Sequence, residues 1–242
     1  MSVQKLLQAG QLDEAIQALS AELRDNPGDA KRRTSLFELL CFSGDYARAE
    51  KQLDILASDS REAEMGGLIY RSALHAEKIR HELFEKGENP PAEKGNGDSA
   101  AAATGMLNGN GFQVLTDADP RVGAHLEIFA AGSYLWLPFT LIASIQIPPP
   151  KRLRDLLWTP ALVKPSATFQ GRELGEVLLP VLTPFSWKHP DGNVRLGRST
   201  VWEENAAGDV IPLGQKMLMA DDEEVPLLEV RSIEFAAAKA AS

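Results

Sequence analysis

The segment Gly10-Gln11-Leu12-Asp13-Glu14-Ala15 returns as Gly44-Asp45-Tyr46-Ala47-Arg48-Ala49, and the same 34-residue offset carries Leu6 onto Leu40, Ala15 onto Ala49 and Leu19 onto Leu53. That offset is the period of a tetratricopeptide repeat, a pair of antiparallel helices. In such a unit the glycine starts the turn between the helices, the large residue two places later fills the gap beneath it, and the alanine lets the helices approach closely. Pro27 ends the first unit where a helix has to stop. Helices are therefore expected over residues 3–9 and 12–25, then over 30–43 and 46–57. A longer amphipathic helix over 61–85 follows, with Met65, Leu68, Ile69, Ser72, Ala76, Ile79 and Leu83 on one stripe at three-and-four spacing. Two repeats make a short module, not a long solenoid.

Beyond the long helix the composition shifts. Residues 87–111 are rich in Gly, Asn, Pro, Ala and Glu, with too little apolar surface to offset the entropy of ordering, and read as a flexible linker and domain boundary. After Phe112 come short apolar segments separated by turn residues. Leu126 to Phe129, Tyr134 to Pro138, Ile142 to Ile147, Ala161 to Phe169, Glu176 to Pro180, Val201 to Glu203 and Leu227 to Phe235 are the candidate strands. Asp119 to Glu127 and Leu153 to Leu157 read as helical. The fold class is thus α+β in two parts: tetratricopeptide-like helices over 1–86, the linker over 87–111, and a mainly β domain over 112–242. So many short strands in so short a chain close more easily than they extend, which points to a small curved sheet or barrel with short helices.

The 242 residues carry a formal net charge of -9, so the lysine and arginine excess that neutralises phosphates is missing, and neither nucleic acid nor an anionic membrane is an expected partner. The single cysteine, Cys41, lies in the apolar pattern of a helix and reads as a buried thiol, which fits a reducing cytoplasm. The first thirty residues lack the basic start and apolar core of a signal peptide, and no apolar run reaches the ~18 to 20 residues of a membrane span. A soluble cytoplasmic protein is expected.

No catalytic constellation is found, so no catalytic residue, cofactor or metal is assigned. Gly95-Asn96-Gly97 lies in the linker and not between a strand and a helix, as a phosphate loop requires. His75, His81, His125 and His189 never fall four residues apart, the spacing that would put two ligands on one helix face. Asp221-Asp222-Glu223-Glu224 lacks the alternation of a calcium loop and reads as a solvated turn between strands. Asp117, Asp119 and Arg121 read as a helix start, carboxylates being favoured there by the helix dipole. Trp136, Trp158, Trp187 and Trp202 read first as core; Trp187, among Pro184, Lys188, His189 and Pro190, has a second reading as a recognition loop.

A two-repeat module presents a shallow concave surface suited to an amphipathic helix or short peptide. The repeat template directs Lys31, Thr34, Glu38 and Phe42 of one inner helix, and Met65, Leu68, Ser72 and His75 of the next, toward that concavity. Phe42, Met65 and Leu68 read equally well as core between helices. The second face of the long helix, with Ile69, Ala73 and Ile79, is available to pack against the β part.

Asp117-Ala118-Asp119-Pro120-Arg121, Tyr134-Leu135-Trp136-Leu137-Pro138-Phe139, Leu153-Arg154-Asp155-Leu156-Leu157-Trp158-Thr159-Pro160-Ala161, Gly214-Gln215-Lys216-Met217-Leu218 and Pro226-Leu227-Leu228-Glu229-Val230-Arg231 occur in this order after the repeat start. Together they resemble the ImpE family, also called TagJ. The resemblance implies a non-enzymatic accessory protein of the bacterial type VI secretion system that binds the N-terminal helical region of the small contractile-sheath subunit. It further implies an influence on sheath assembly or on recycling by the AAA+ unfoldase. One departure is the Gly- and Ala-rich segment from Gly87, where the family continues with a further helical stretch. The alternative reading is a generic repeat-based scaffold or co-chaperone with another helical client.

Overall fold

The computed structural model describes residues 2–57, 61–90, 103–171, 174–205 and 208–236, and of 61–66 the backbone alone. Five helices lead the chain: α1 (Val3–Gln8), α2 (Leu12–Asp25), α3 (Ala30–Phe42), α4 (Tyr46–Ala57) and α5 (Arg61–Lys86). Local chemistry sets their ends. Asp29 caps α3 by accepting the Arg32 N–H at 2.9 Å, and Gly10 and Gly44 take left-handed backbone at φ +73° and +71° to end α1 and α3. Ala15, Ala49, Leu19 and Leu53, the residues matched by the repeat offset, are all buried.

The β part comprises β1 (Gly105–Leu107), β2 (Asn110–Phe112), β3 (Leu115–Asp117), β4 (His125–Ala130), β5 (Ser133–Pro138), β6 (Ile142–Gln146), β7 (Trp158–Pro165) and β8 (Gly175–Pro180). After the one-turn helix α6 (Gly192–Arg195) come β9 (Thr200–Glu204), β10 (Val210–Gly214), β11 (Met217–Ala220), β12 (Glu223–Pro226) and β13 (Ser232–Phe235). Eight strands form an antiparallel sheet in the order β2-β1-β13-β6-β7-β8-β4-β5; β12-β11-β3 form a second sheet and β10-β9 a ribbon. Among the described residues no barrel closes.

The large sheet alternates cleanly. In β4, Leu126 and Ile128 face a core made within the β part, whereas Glu127 and Phe129 face the helices; in β5, Leu137 takes the first side and Tyr134 and Trp136 the second. One continuous core therefore runs from Leu12, Phe37, Leu40 and Leu74 of the helices into Phe129, Tyr134, Leu157 and Trp158.

Four expectations are corrected. The span expected to be linker, 87–111, contains β1 and most of β2, although residues 91–102 lie outside the described residues. Gly105 reads as flexible in sequence but marks close strand contact: a Cβ there would stand 2.1 Å from the Glu234 carbonyl oxygen. The expected helix Asp119 to Glu127 is a tight turn ending at Gly123, φ +60°, followed by strand β4. The expected strand Ala161 to Phe169 instead begins at Trp158 and ends at Pro165, while Leu227 to Glu229 is a 3-10 turn ahead of β13. The helical reading of Leu153 to Leu157 corresponds to a 3-10 turn over Leu153–Leu156.

Candidate functional site

The turns that carry the repeat glycines receive the β part directly. Gly10 lies so close to Gly192 that a Cβ on Gly192 would fall 1.8 Å from the Gly10 carbonyl oxygen, and Arg195 pairs with Asp13 at 2.8 Å. One repeat later Gly44 lies against the ring of Trp187. Trp187 is thus a packing residue of the junction, and its recognition-loop reading is corrected on that ground. The 3-10 turn Leu153–Leu156 packs on α3, with the Arg154 guanidinium 4.6 Å over the ring of Tyr70 on α5.

This docking decides where the expected groove residues lie. Phe42 is fully buried and offers no open anchor, and Glu38 is 7 % exposed. Lys31, Leu68 and His75 are exposed; Thr34 and Ser72 are half-buried. The side chain of Met65 lies outside the described residues. Phe42 is core because Trp158, Leu157 and Trp187 of the β part share a small cavity with it.

What remains open is a cleft of about 290 Å³ between α5 and the sheet, walled by Leu68, Ile69 and Ala73 on one side and Phe129, Val177 and Leu178 on the other. Leu68 and Ile69 are 55 % and 62 % exposed. Phe129 and Leu178 are a register pair between β4 and β8, and the β4–β5 turn through Ala131 and Gly132 lines the same cleft. Sequence reading supplied Leu68 and Ser72 from the helix face but not Phe129, Val177 or Leu178, and it assigned Ile69 to packing between the parts. The opposite wall comes from strands some 60 to 110 residues on, and no local signal marks it. A larger cleft of about 540 Å³ beside the β11–β12 turn is lined by Asp221, Asp222 and Glu223, but the Asp221 carboxylate is occupied by the N–H groups of Gln113 and Val114.

Between α5 and the sheet lies a buried network of charges. Arg80 on α5 donates from Nε and Nη2 to Glu127 on β4 at 2.7 and 3.0 Å, and from Nη1 to Glu77 at 3.0 Å. Trp158 Nε1 donates to the other Glu77 oxygen at 2.9 Å, Tyr134 O–H donates to Glu127, and Lys216 Nζ bridges Glu127 and Asp117. Burial opposes ionisation of Glu127, yet the charges of Arg80 and Lys216 prevail and hold it well below the usual carboxylate range. Asp117 is pushed up to about 6, chiefly by burial, against the attraction of Lys216. Asp119 is completely buried and paired with Arg121. Asp117, Asp119 and Arg121 therefore cap no helix; they hold a turn against the network. Among the described residues no three His, Cys, Asp or Glu side chains gather as a metal site.

The ImpE protein family profile matches residues 109–234, just over half of the chain, and the tetratricopeptide repeat profile matches residues 6–69. The chain belongs to the ImpE family. A relative, the type VI secretion system accessory component TagJ of Pseudomonas aeruginosa, is 32 % identical over 97 % of this chain and 91 % of its own length. The crystal structure of protein VPA1032 from Vibrio parahaemolyticus superposes with a TM-score of 0.83 over 97 % of each chain at 23 % identity, and so shares the fold. In this ImpE chain the sequence blocks that carry the resemblance supply Asp117, Asp119, Arg121, Trp136, Trp158 and Lys216, which meet in or beside the buried network.

Proposed function

We propose that this ImpE chain is a non-enzymatic accessory component of a type VI secretion system, acting in the cytoplasm by docking an amphipathic helix of the small contractile-sheath subunit. The docking surface is the cleft between α5 and strands β4 and β8, with Leu68 and Ile69 as anchors and Ser72 on its helical side, and with Lys31, Thr34 and His75 as further contacts on the helical face. The observation that carries this reading is the pair Leu68 and Ile69, exposed beside an apolar cleft, while Phe42 of the same expected face is buried against the chain's own β part. Shallow grooves of this kind gain affinity from a few apolar side chains at helical spacing. A protein of charge -9 attracts a helix with a basic polar face, which speeds encounter and makes affinity fall with salt.

No helix among the described residues is long and apolar enough to cross a membrane. The buried carboxylates of the network are paired with cations inside the core, an arrangement that supports a structural role for them and none in catalysis. Binding the sheath subunit is how the protein bears on sheath assembly or on recycling by the AAA+ unfoldase. Co-purification of the full chain with the small sheath subunit, and with the same subunit lacking its N-terminal helix, tests the reading. Retention of the intact subunit and loss of the truncated one is the expected result; equal retention of both, or of neither, overturns it and leaves a repeat scaffold with another client.

A further inference from the structure

Five acidic residues are buried among the described residues: Glu38, Glu77, Asp117, Asp119 and Glu127. Four have a cation in contact, from Arg80, Lys216 or Arg121. Glu38 has none, and no hydrogen bond either. It lies on α3 beneath the Leu153–Leu156 turn, one helical turn after half-buried Thr34 on the face that also bears exposed Lys31. The charges facing it come from that turn. Asp155 repels it, with its own carboxylate held by the N–H groups of Lys151 and Arg152 at 2.8 and 2.9 Å, and exposed Arg152 attracts it without an ion pair. Arg154 is directed instead onto the ring of Tyr70.

A carboxylate taken from water without a counter-ion is held at a cost that a cation against it removes. The other four show how this fold treats buried acids once a cation is at hand. We propose that Glu38 receives one basic side chain, a lysine or arginine, from the segment that docks on the helical face. This rests on the partner reading above and adds to it the chemistry of one contact. A long side chain suits the place, since its apolar stem can lie on the helix surface while its charged end reaches a glutamate that is only 7 % exposed. Burial, with Asp155 adding to it, pushes Glu38 up to about 7, so the free protein carries it partly protonated at neutral pH and an arriving cation expels that proton.

The test is calorimetric titration of the full chain with a synthetic peptide of the sheath subunit's N-terminal helix, at pH 7 in two buffers of different ionisation heat. The wild-type chain should bind with release of part of a proton, and Glu38→Gln should bind at least about tenfold more weakly and release none. Equal affinity and equal proton release in the variant overturn the proposal while leaving the partner reading intact. Carbon-13 carboxyl titration of the free chain and of Arg152→Gln decides the matter without any partner. A Glu38 midpoint that rises by a unit or more in the variant shows that Arg152 already serves as its cation and overturns the proposal; an unmoved midpoint supports a carboxylate open to a cation from outside. Failure of the wild-type chain to bind the peptide overturns the partner reading, and the carboxyl titration still decides for Glu38.

Discussion

Arg80 of α5 and Glu127 of β4 form a two-pronged ion pair, Nε to Oε1 at 2.7 Å and Nη2 to Oε2 at 3.0 Å, with both side chains withdrawn from solvent. The pair ties the last turns of the helical part to β4, the strand next to the sheet's β5 edge, on the helix-facing side. Removing one partner of such a pair leaves an uncompensated buried charge, which is far more damaging than losing a surface bridge. Arg80→Met should therefore lower stability by about 3 to 5 kcal/mol in urea unfolding. Arg80→Lys keeps the charge but not the planar fork, and should fall between the wild type and Arg80→Met.

Glu38 gives a pH dependence with a definite sign. Its carboxyl is raised in the folded chain to about 7, so between the ordinary glutamate range and pH 7 the folded state holds more protons than the unfolded one. Stability from this group is complete below about pH 4.5, declines as pH rises toward 7, and stays at its lower level beyond. Glu38→Gln removes that decline. The variant should match or trail the wild type at pH 4.5 and exceed it at pH 8 by on the order of 1 to 3 kcal/mol, read from unfolding curves at the two pH values. A variant less stable than the wild type at pH 8 would show that Glu38 is favourably paired in the folded chain. Glu127 runs the other way: held low by Arg80 and Lys216, it contributes stability that is lost as pH falls through the acid range.

How much of this was legible in sequence depends on the distance over which each residue's partner lies. The repeat offset placed the first four helices because the glycine, the large residue and the alanine of each turn act within one unit, and the three-and-four apolar spacing placed the fifth. Asp117, Asp119 and Arg121 misled, since acids followed by an apolar run look alike at a helix start and at a buried turn. What distinguishes them is Lys216, 99 residues beyond Asp117. Arg80 and Glu127 are likewise 47 residues apart, and neither carries a local mark of burial. Gly105 read as flexibility where close contact between strands demands it. Half of the cleft was visible, as Leu68 and Ser72, while its other wall comes from the distant strands β4 and β8.

Gly44 serves both the repeat and the junction. Its φ of +71° is costly for any residue with a Cβ, and a Cβ there would lie 2.4 Å from Trp187 Cδ2. Gly44→Ala should lower stability by about 2 kcal/mol or more through the two effects together. Trp187→Ala in the same chain removes the clash but not the backbone strain, so the double variant should lose less than the sum of the two single losses. Strict additivity in thermal or urea unfolding would mean that the ring and the glycine do not meet in solution.

The sequence leaves Leu68 and Phe42 open between one shared surface and the core between helices, and the structure separates them. Phe42 is fully buried, so Phe42→Ala should cost about 3 to 5 kcal/mol of stability and alter binding only as far as the fold is disturbed. Leu68 is 55 % exposed at the rim of the cleft, and Leu68→Ala should leave the melting temperature almost unchanged. The same substitution should weaken binding of the sheath subunit's helix by on the order of 1 to 3 kcal/mol, with Ile69→Ala acting in the same direction. Measuring melting temperature beside affinity for each variant keeps the two effects apart. A folded Leu68→Ala, Ile69→Ala chain that binds with wild-type affinity would remove the cleft as the docking surface and leave the acid-lined cleft beside the β11–β12 turn as the next place to look.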